Sequence, residues 1–233
     1  MNTLSIVIPA YNEHEIIADT LGHLVNNFGD AEIIIIDQSA GDETQDIVRK
    51  QFPYVIYARS MWSSRPENMN QWATLATWDI LLFLHADCRL AAEAKSELEN
   101  LDIDRYVWWW FVRMMEPANW PIRFRDWLAK LWMRRFRFMM WDHGIFVTRE
   151  AFNAVGGYRD KPLFEDIELA KALRKYCRKH QKLCYCSQQN IIASSRKFMK
   201  RGPWRTFFFM CRCYSLYLIG YPVERIEKMY RSW

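Results

Sequence analysis

Along the first 90 residues, short apolar runs alternate with longer polar stretches in which apolar side chains recur every three or four positions. "LSIVIP" (4–9), "EIIIID" (32–37), "YVIYA" (54–58) and "ILLFL" (80–84) have the length of strands and the near-continuous hydrophobicity of strands covered on both faces. Between them, residues 13–26 put apolar side chains at 16, 17, 21, 24 and 25, one face of a helix. Residues 42–51 and 67–78 read as two further helices. This βαβαβαβ order predicts an α/β fold with a mostly parallel central sheet, right-handed crossovers and flanking helices, a Rossmann-like, nucleotide-binding type of architecture. After Asp87 the alternation stops: a helix at 90–100, a strand "YVWWWFVRMM" (106–115), a basic aromatic helix at 121–140, a strand "GIFV" (144–147) and a helix at 164–180 follow. A short strand near "LCYC" and C-terminal helices complete the chain. With no internal repeat or linker, residues 1–233 are expected to form one domain, divided into a nucleotide-binding half (1–90), a second half (91–190) and a helical segment (191–233).

Composition changes this picture little: 233 residues, 51% of them hydrophobic, can fill one sizeable core. The net charge of +5 is too modest to imply nucleic acid, and none is expected as a partner, but the basic residues collect in the second half. The close cysteine pairs, Cys184 with Cys186 and Cys211 with Cys213, are spaced C-x-C and not the C-x-x-C of zinc ribbons and redox motifs. Reduced thiols, and a start without a signal-peptide pattern, lead to the expectation of a cytoplasmic protein. The most apolar stretch, 204–221, carries Arg205 and Arg212 and reads as a buried or interfacial helix that does not span a membrane.

The candidate chemistry lies at the ends of the elements: "PAYNE" (9–13), Asp37, "HAD" (85–87) and "FEDIE" (164–168). In a parallel sheet the first three fall on the carboxyl edge, where open α/β sheets bind ligands. Asp87 with His85 has the carboxylate and imidazole chemistry that suits Mn2+ or Mg2+, with phosphate oxygens and waters completing the shell. A strand-end histidine satisfied by a backbone group explains His85 equally well. Glu165 and Asp166 also suit a helix N-terminus, where acids favour the dipole, and Asp42 before Glu43 and Thr44 reads as a helix cap.

In order and spacing, "LSIVIPAYNE", "IIIIDQSAGDET", "ILLFLHAD", "GIFVTREAFNAVGGY" and "PLFEDIEL" resemble the family-2 glycosyltransferases of GT-A fold. The resemblance is strongest to a short subgroup with H-A-D at the metal site and a late S-x-R-[RK]-[WF] segment, here "SSRKF" (194–198). It implies inverting transfer of a sugar from a nucleoside-diphosphate donor, UDP-linked by family habit, to an acceptor hydroxyl on a small molecule or lipid, with residues 91–190 as the acceptor half. Pro9, Ala10, Tyr11 and Glu13 would line the nucleotide pocket, and Asp37 would accept a hydrogen bond from the base. Asp87, with His85, would hold the metal that bridges the diphosphate, and Asp166 would be the general base, supported by Glu165 and Glu168. Arg196, joined by Lys197, would meet the diphosphate from a C-terminal segment. In "WSSRPENMNQW" (62–72), Arg65 would contact the donor phosphates and Asn68 or Asn70 the nucleotide or sugar; a surface arginine and a helix-start asparagine fit the same letters.

Two features stand apart from the resemblance. Trp72, Trp78, Trp108–Trp110 and Trp141 bring bulk where relatives favour small residues, in a chain with 12 tryptophans and 8 glycines. They are expected either to narrow a pocket, which would suit a catalytically inactive nucleotide-sugar or membrane-binding module, or to stack on sugar rings. The stretch 121–141 interleaves Arg123, Arg125, Lys130, Arg134, Arg135 and Arg137 with apolar residues against one acid, Asp126. That pattern fits a helix lying on an anionic membrane surface, as a peripheral protein would carry, or an amphipathic helix packed on the domain. A nucleotidyltransferase would share the βαβ start, but no glycine-rich phosphate loop follows the first strand.

Overall fold

The structure, a computed structural model, describes residues 2–60, 64–136 and 144–233. In chain order the elements are β1 (Leu4–Ala10), α1 (Ile17–Phe28), β2 (Glu32–Asp37), α2 (Glu43–Gln51), β3 (Ile56–Arg59), α3 (Arg65–Leu75), β4 (Ile80–Phe83), β5 (Cys88–Leu90) and α4 (Glu93–Glu99). The second half adds β6 (Tyr106–Glu116), α5 (Trp120–Phe136), β7 (Ile145–Thr148), α6 (Arg149–Val155), α7 (Glu165–His180), β8 (Leu183–Ser194), α8 (Arg196–Arg201), α9 (Pro203–Leu218) and α10 (Val223–Ser232).

The strands form one sheet in the order β3-β2-β1-β4-β7-β6-β8-β5. The first four run parallel, as their alternation with helices requires, and β7 joins β4 antiparallel. The sheet continues through antiparallel β6–β7, parallel β6–β8 and antiparallel β5–β8 pairs, so the second half is mixed. Because Ala10 stands opposite Asp37 and Val7 opposite Phe83, β1, β2 and β4 end together and deliver "PAYNE", Asp37 and "HAD" to one edge.

Both faces of the sheet are covered. Ile6, Ile8, Ile35 and Leu82 meet Leu21, Leu24 and Phe28 of α1 on one side, while Val7, Ile34 and Leu81 meet Met69 of α3 and Leu173 of α7 on the other. Strand β6 lies inside the sheet, so its tryptophans are core residues. Trp109 packs with the first cluster and Trp108 and Trp110 with the second, all at most 1% exposed. Trp109 stacks on Phe146 at 5.2 Å. The expectation that this run faces an acceptor is therefore corrected: a strand buried on both faces leaves no indole for a sugar to stack on. Trp72 is also packed against the core; Trp141 lies outside the described residues, as does the predicted helix beyond Phe136.

Two terminations shape the region near the site. Thr148 caps α6 by accepting from the Ala151 N–H, and Gly156 closes that helix in the left-handed conformation. Gly157, also at positive φ, packs so tightly on Asn70 that a Cβ would lie 2.4 Å from its Oδ1. Asn70 clamps this turn, accepting from Tyr158 N and donating to Tyr158 O, each at 2.7 Å. The "GGY" turn thereby drives the Tyr158 ring inward against Phe83 and Phe152.

Candidate active site

At the edge where β1 and β2 end, the loops are tied to each other. Gln38 N donates to Ala10 O at 2.9 Å, and Asn12, in the left-handed conformation at φ 54°, donates from its N–H to Ser39 Oγ at 2.8 Å. Asp37 is fully buried: one carboxylate oxygen accepts from Ser39 N and Oγ, the other from the Tyr57 hydroxyl at 2.9 Å. Burial first, and the neighbouring Asp37 carboxylate second, push the Tyr57 phenol up to about 12, so it stays a proton donor at neutral pH. Asp37 thus organises the loop from below, and Tyr11, 65% exposed, and Gln38 are the side chains turned to the cleft above. Glu13 is half-buried, and its carbonyl accepts from Ile16 and Ile17 N as α1 begins.

The end of β4 explains why two polar residues follow a buried strand. Cys88 N donates to His85 O at 3.0 Å, closing a turn that reverses the chain into β5. In a continuing strand, His85 and Asp87 would share a face. The turn separates them. His85 joins Pro9, Arg65, Met69, Tyr158 and Asp166 around a small cavity of about 10 Å3. Asp87 instead lines a cleft of about 1130 Å3 with Glu116, Asn190, Ser194 and Arg196.

Arg65 holds the first group together, with Nη1 3.0 Å from Glu165 Oε1 and Nη2 2.9 Å from His85 Nε2. The same Nη2 lies 3.4 Å from Nδ1, and because a guanidinium has no acceptor, the ring nitrogen that takes this bond does so through its lone pair. A cation at that nitrogen would have to displace Arg65. In this structure His85 lines the small cavity and Asp87 the larger cleft. Among the described residues, no three His, Cys, Asp or Glu side chains gather into a metal site. Mg2+ and Mn2+ do not require one, because they are commonly held by one or two carboxylates together with substrate phosphates. Asp87, half-buried in a roomy cleft that also presents Arg196, fits that mode. Arg196 is exposed, its Nε donating to Ser194 Oγ at 3.1 Å; the Lys197 side chain lies outside what the structure describes.

Glu165 and Asp166 open α7, and the residue before them, Phe164, takes the left-handed conformation at φ 66°. Such backbone is costly for a bulky residue. It is held by burial of the Phe164 ring against Tyr217 of α9, with centroids 4.4 Å apart. Glu168 fastens the next turn, accepting from the Tyr217 hydroxyl and from Lys171 Nζ at 3.0 Å. Burial raises its pKa, but these two hydrogen bonds outweigh it and leave the carboxyl below its usual range. Asp166 lines both the small cavity and an open cleft of about 870 Å3 bounded by Tyr11, Ser64, Arg65 and residues of α9 and α10.

The structure therefore brings together Pro9, Arg65, His85, Glu165 and Asp166, with Tyr11 at the rim. Asp87 and Arg196 line a second, separate cleft. Asn68 and Asn70 bind the protein itself: Asn68 is buried and donates to Ser64 O at 2.8 Å. Tyr158 escaped the sequence reading. Its hydroxyl is buried beside the Asp166 carboxyl, and burial first, then the Asp166 charge, raises its pKa well above the usual phenol value. The signal was the doubled glycine, a turn that aims the following ring.

The family model for glycosyl transferase family 2 matches residues 5–163, more than half of the chain and the span from β1 through α6. The chain belongs to glycosyl transferase family 2. Its fold is that of the GT-A transferases: the mannosyltransferase PcManGT from Pyrobaculum calidifontis, solved in complex with GDP-Man and Mn2+, superposes with a TM-score of 0.63 at 14% identity over 82% of this chain and 56% of its own. TarS 1-349 from S. aureus gives 0.63 at 13% identity over 83% and 60%, and its complex with UDP-GlcNAc gives 0.61 at 12% over 82% and 58%. This family member spans a little over half the length of those structures. No curated protein matches the chain.

Proposed function

We propose that this glycosyl transferase family 2 chain moves a sugar, with inversion, from a nucleoside-diphosphate sugar to an acceptor hydroxyl. The observation that carries this reading is the pair of clefts, one presenting Asp166 and the other Asp87 with Arg196. Single displacement needs a base on one side of the anomeric carbon and neutralisation of charge on the other. Asp166 removes the acceptor proton while the acceptor oxygen bonds to the anomeric carbon. The bond from that carbon to the diphosphate breaks, and its electron pair leaves with the nucleoside diphosphate. Arg196 meets the leaving charge, and Asp87 would hold Mn2+ or Mg2+ beside it. When bound, that cation supplies Lewis-acid stabilisation of the leaving group.

Tyr11 and Gln38 would face the nucleotide over the platform built on Asp37, with UDP as the first donor to test. Glu165 and Glu168 support Asp166 by fixing the start of α7. Motif order through "SSRKF" supports placement in the short H-A-D subgroup, and cysteines in thiol form rather than in disulfides among the described residues support a cytoplasmic setting. The inactive-module reading rested on tryptophans filling the pocket, whereas Trp108–Trp110 are core and line neither cleft. The test is the anomeric configuration of the product, read by proton NMR after incubation with α-linked UDP- and GDP-sugars and an acceptor panel. A β-linked product is expected; an α-linked one overturns the single-displacement mechanism.

A further inference from the structure

Helix α5 turns its bulkiest side chains outward. Trp120 (70% exposed), Phe124, Trp127 (59%) and Leu131 follow at intervals of four, three and four residues, which places them on one stripe. Their rings touch in series, Trp120 to Phe124 at 5.8 Å and Phe124 to Trp127 at 5.9 Å. Helix α9 extends the same surface: Trp204 lies 6.5 Å from Phe124, and Phe208, 66% exposed, lies 6.5 Å from Trp204. Two helices far apart in sequence therefore share one aromatic face, while Ile122 and Asp126 on the other side of α5 are buried and anchor the helix.

Charge identifies the occupant. Residues 196–218 hold no Asp or Glu, but contain Arg196, Lys197, Lys200, Arg201, Arg205 and Arg212. On α5 the one acid, Asp126, is turned inward, accepting from Met115 N at 2.9 Å, whereas Arg123 is exposed. A second copy docking through this face would set basic rims against each other. Aromatic side chains on helices whose exposed charges are basic match the boundary of an anionic bilayer, where rings enter the interface and cations meet phosphate. No helix among the described residues is long and apolar enough to cross a membrane, so the contact would be peripheral.

We propose that α5 and α9 together seat the protein on an anionic lipid surface. The cleft that holds Asp87 and Arg196 is also lined by Arg123, adjacent in sequence to Phe124 of the stripe, so the docked face borders that cleft. The docking surface does not rest on the glycosyl-transfer reading.

The test uses the full chain, vesicles of phosphatidylcholine alone or with phosphatidylglycerol, and co-sedimentation at low and high salt. Binding to the phosphatidylglycerol vesicles is expected, weakened by salt and lowered at least about tenfold by Trp127→Ser with Phe208→Ser, each an exposed position, with the melting curve unchanged. Binding that is independent of anionic lipid, or absent from all vesicles while soluble nucleoside diphosphate is still released from the donor, overturns the docking surface. So does a concentration-dependent dimer, seen by sedimentation velocity, that the same double variant dissolves. Vesicle binding without any donor turnover overturns the transfer reading and leaves the docking surface standing.

Discussion

Asp166→Asn is expected to lower sugar transfer by about 10²- to 10⁴-fold while leaving donor binding little changed, the loss that follows when a positioned general base can no longer take a proton. The substitution keeps the size of the side chain and its place at the start of α7. It removes only the negative charge and the basic lone pair. Donor affinity separates this loss from a structural one, because Asp166 faces the acceptor side in this account and the diphosphate is met by Arg196 and Asp87. Steady-state kinetics together with titration of a UDP-sugar checks the prediction. Unimpaired transfer would remove Asp166 from the mechanism.

Trp109→Ala is expected to destabilise the fold by about 3–5 kcal/mol, the usual cost of removing a large buried ring. Trp109 is the informative choice among three neighbours. The indole N–H groups of Trp108 and Trp110 are buried without partners among the described residues, so truncating either also relieves an unmet hydrogen bond. Trp109 carries no such offset and stacks on Phe146. For a chain of this size the loss corresponds to a fall in melting temperature on the order of 10 °C. Thermal denaturation followed by circular dichroism measures it, and an unchanged melting temperature would mean the ring is not core.

The parallel half of the fold is legible from hydrophobic pattern alone, because strands buried on both faces write continuous apolar runs and their crossover helices write a 3.6-residue period. The second half is less legible, for identifiable reasons. Strand β8 runs from Leu183 to Ser194, but "SQQN" interrupts its apolar pattern and hides all but its start. Strand β5 has three residues, too few for any period, and α6 was absorbed into the "GIFV" motif. Buried tryptophans looked like pocket residues because sequence alone does not show that β6 is flanked by β7 and β8.

The candidate site divides in the same way. Pro9, Arg65, His85 and Asp166 converge because they sit at element ends along one edge, which the order of elements implies. His85 and Asp87 line different cavities beside a turn in which Cys88 N donates to His85 O, and the hold of Arg65 on His85 follows from where α3 begins; neither is written in local composition. The role of Asn70 as a clamp on Gly157 and Tyr158 is likewise a long-range contact spanning 88 residues.

The measurement that bears most directly on the central claim is release of nucleoside diphosphate from UDP- and GDP-sugars with Mn2+, with Mg2+ and with chelator, for the native chain and Asp87→Ala. The account predicts release by the native chain that chelator abolishes and metal restores, and release by Asp87→Ala that is lower by at least about 10²-fold at every metal concentration, as expected when charge stabilisation of a leaving group is withdrawn. Release that is indifferent to chelator and to Asp87→Ala would contradict it.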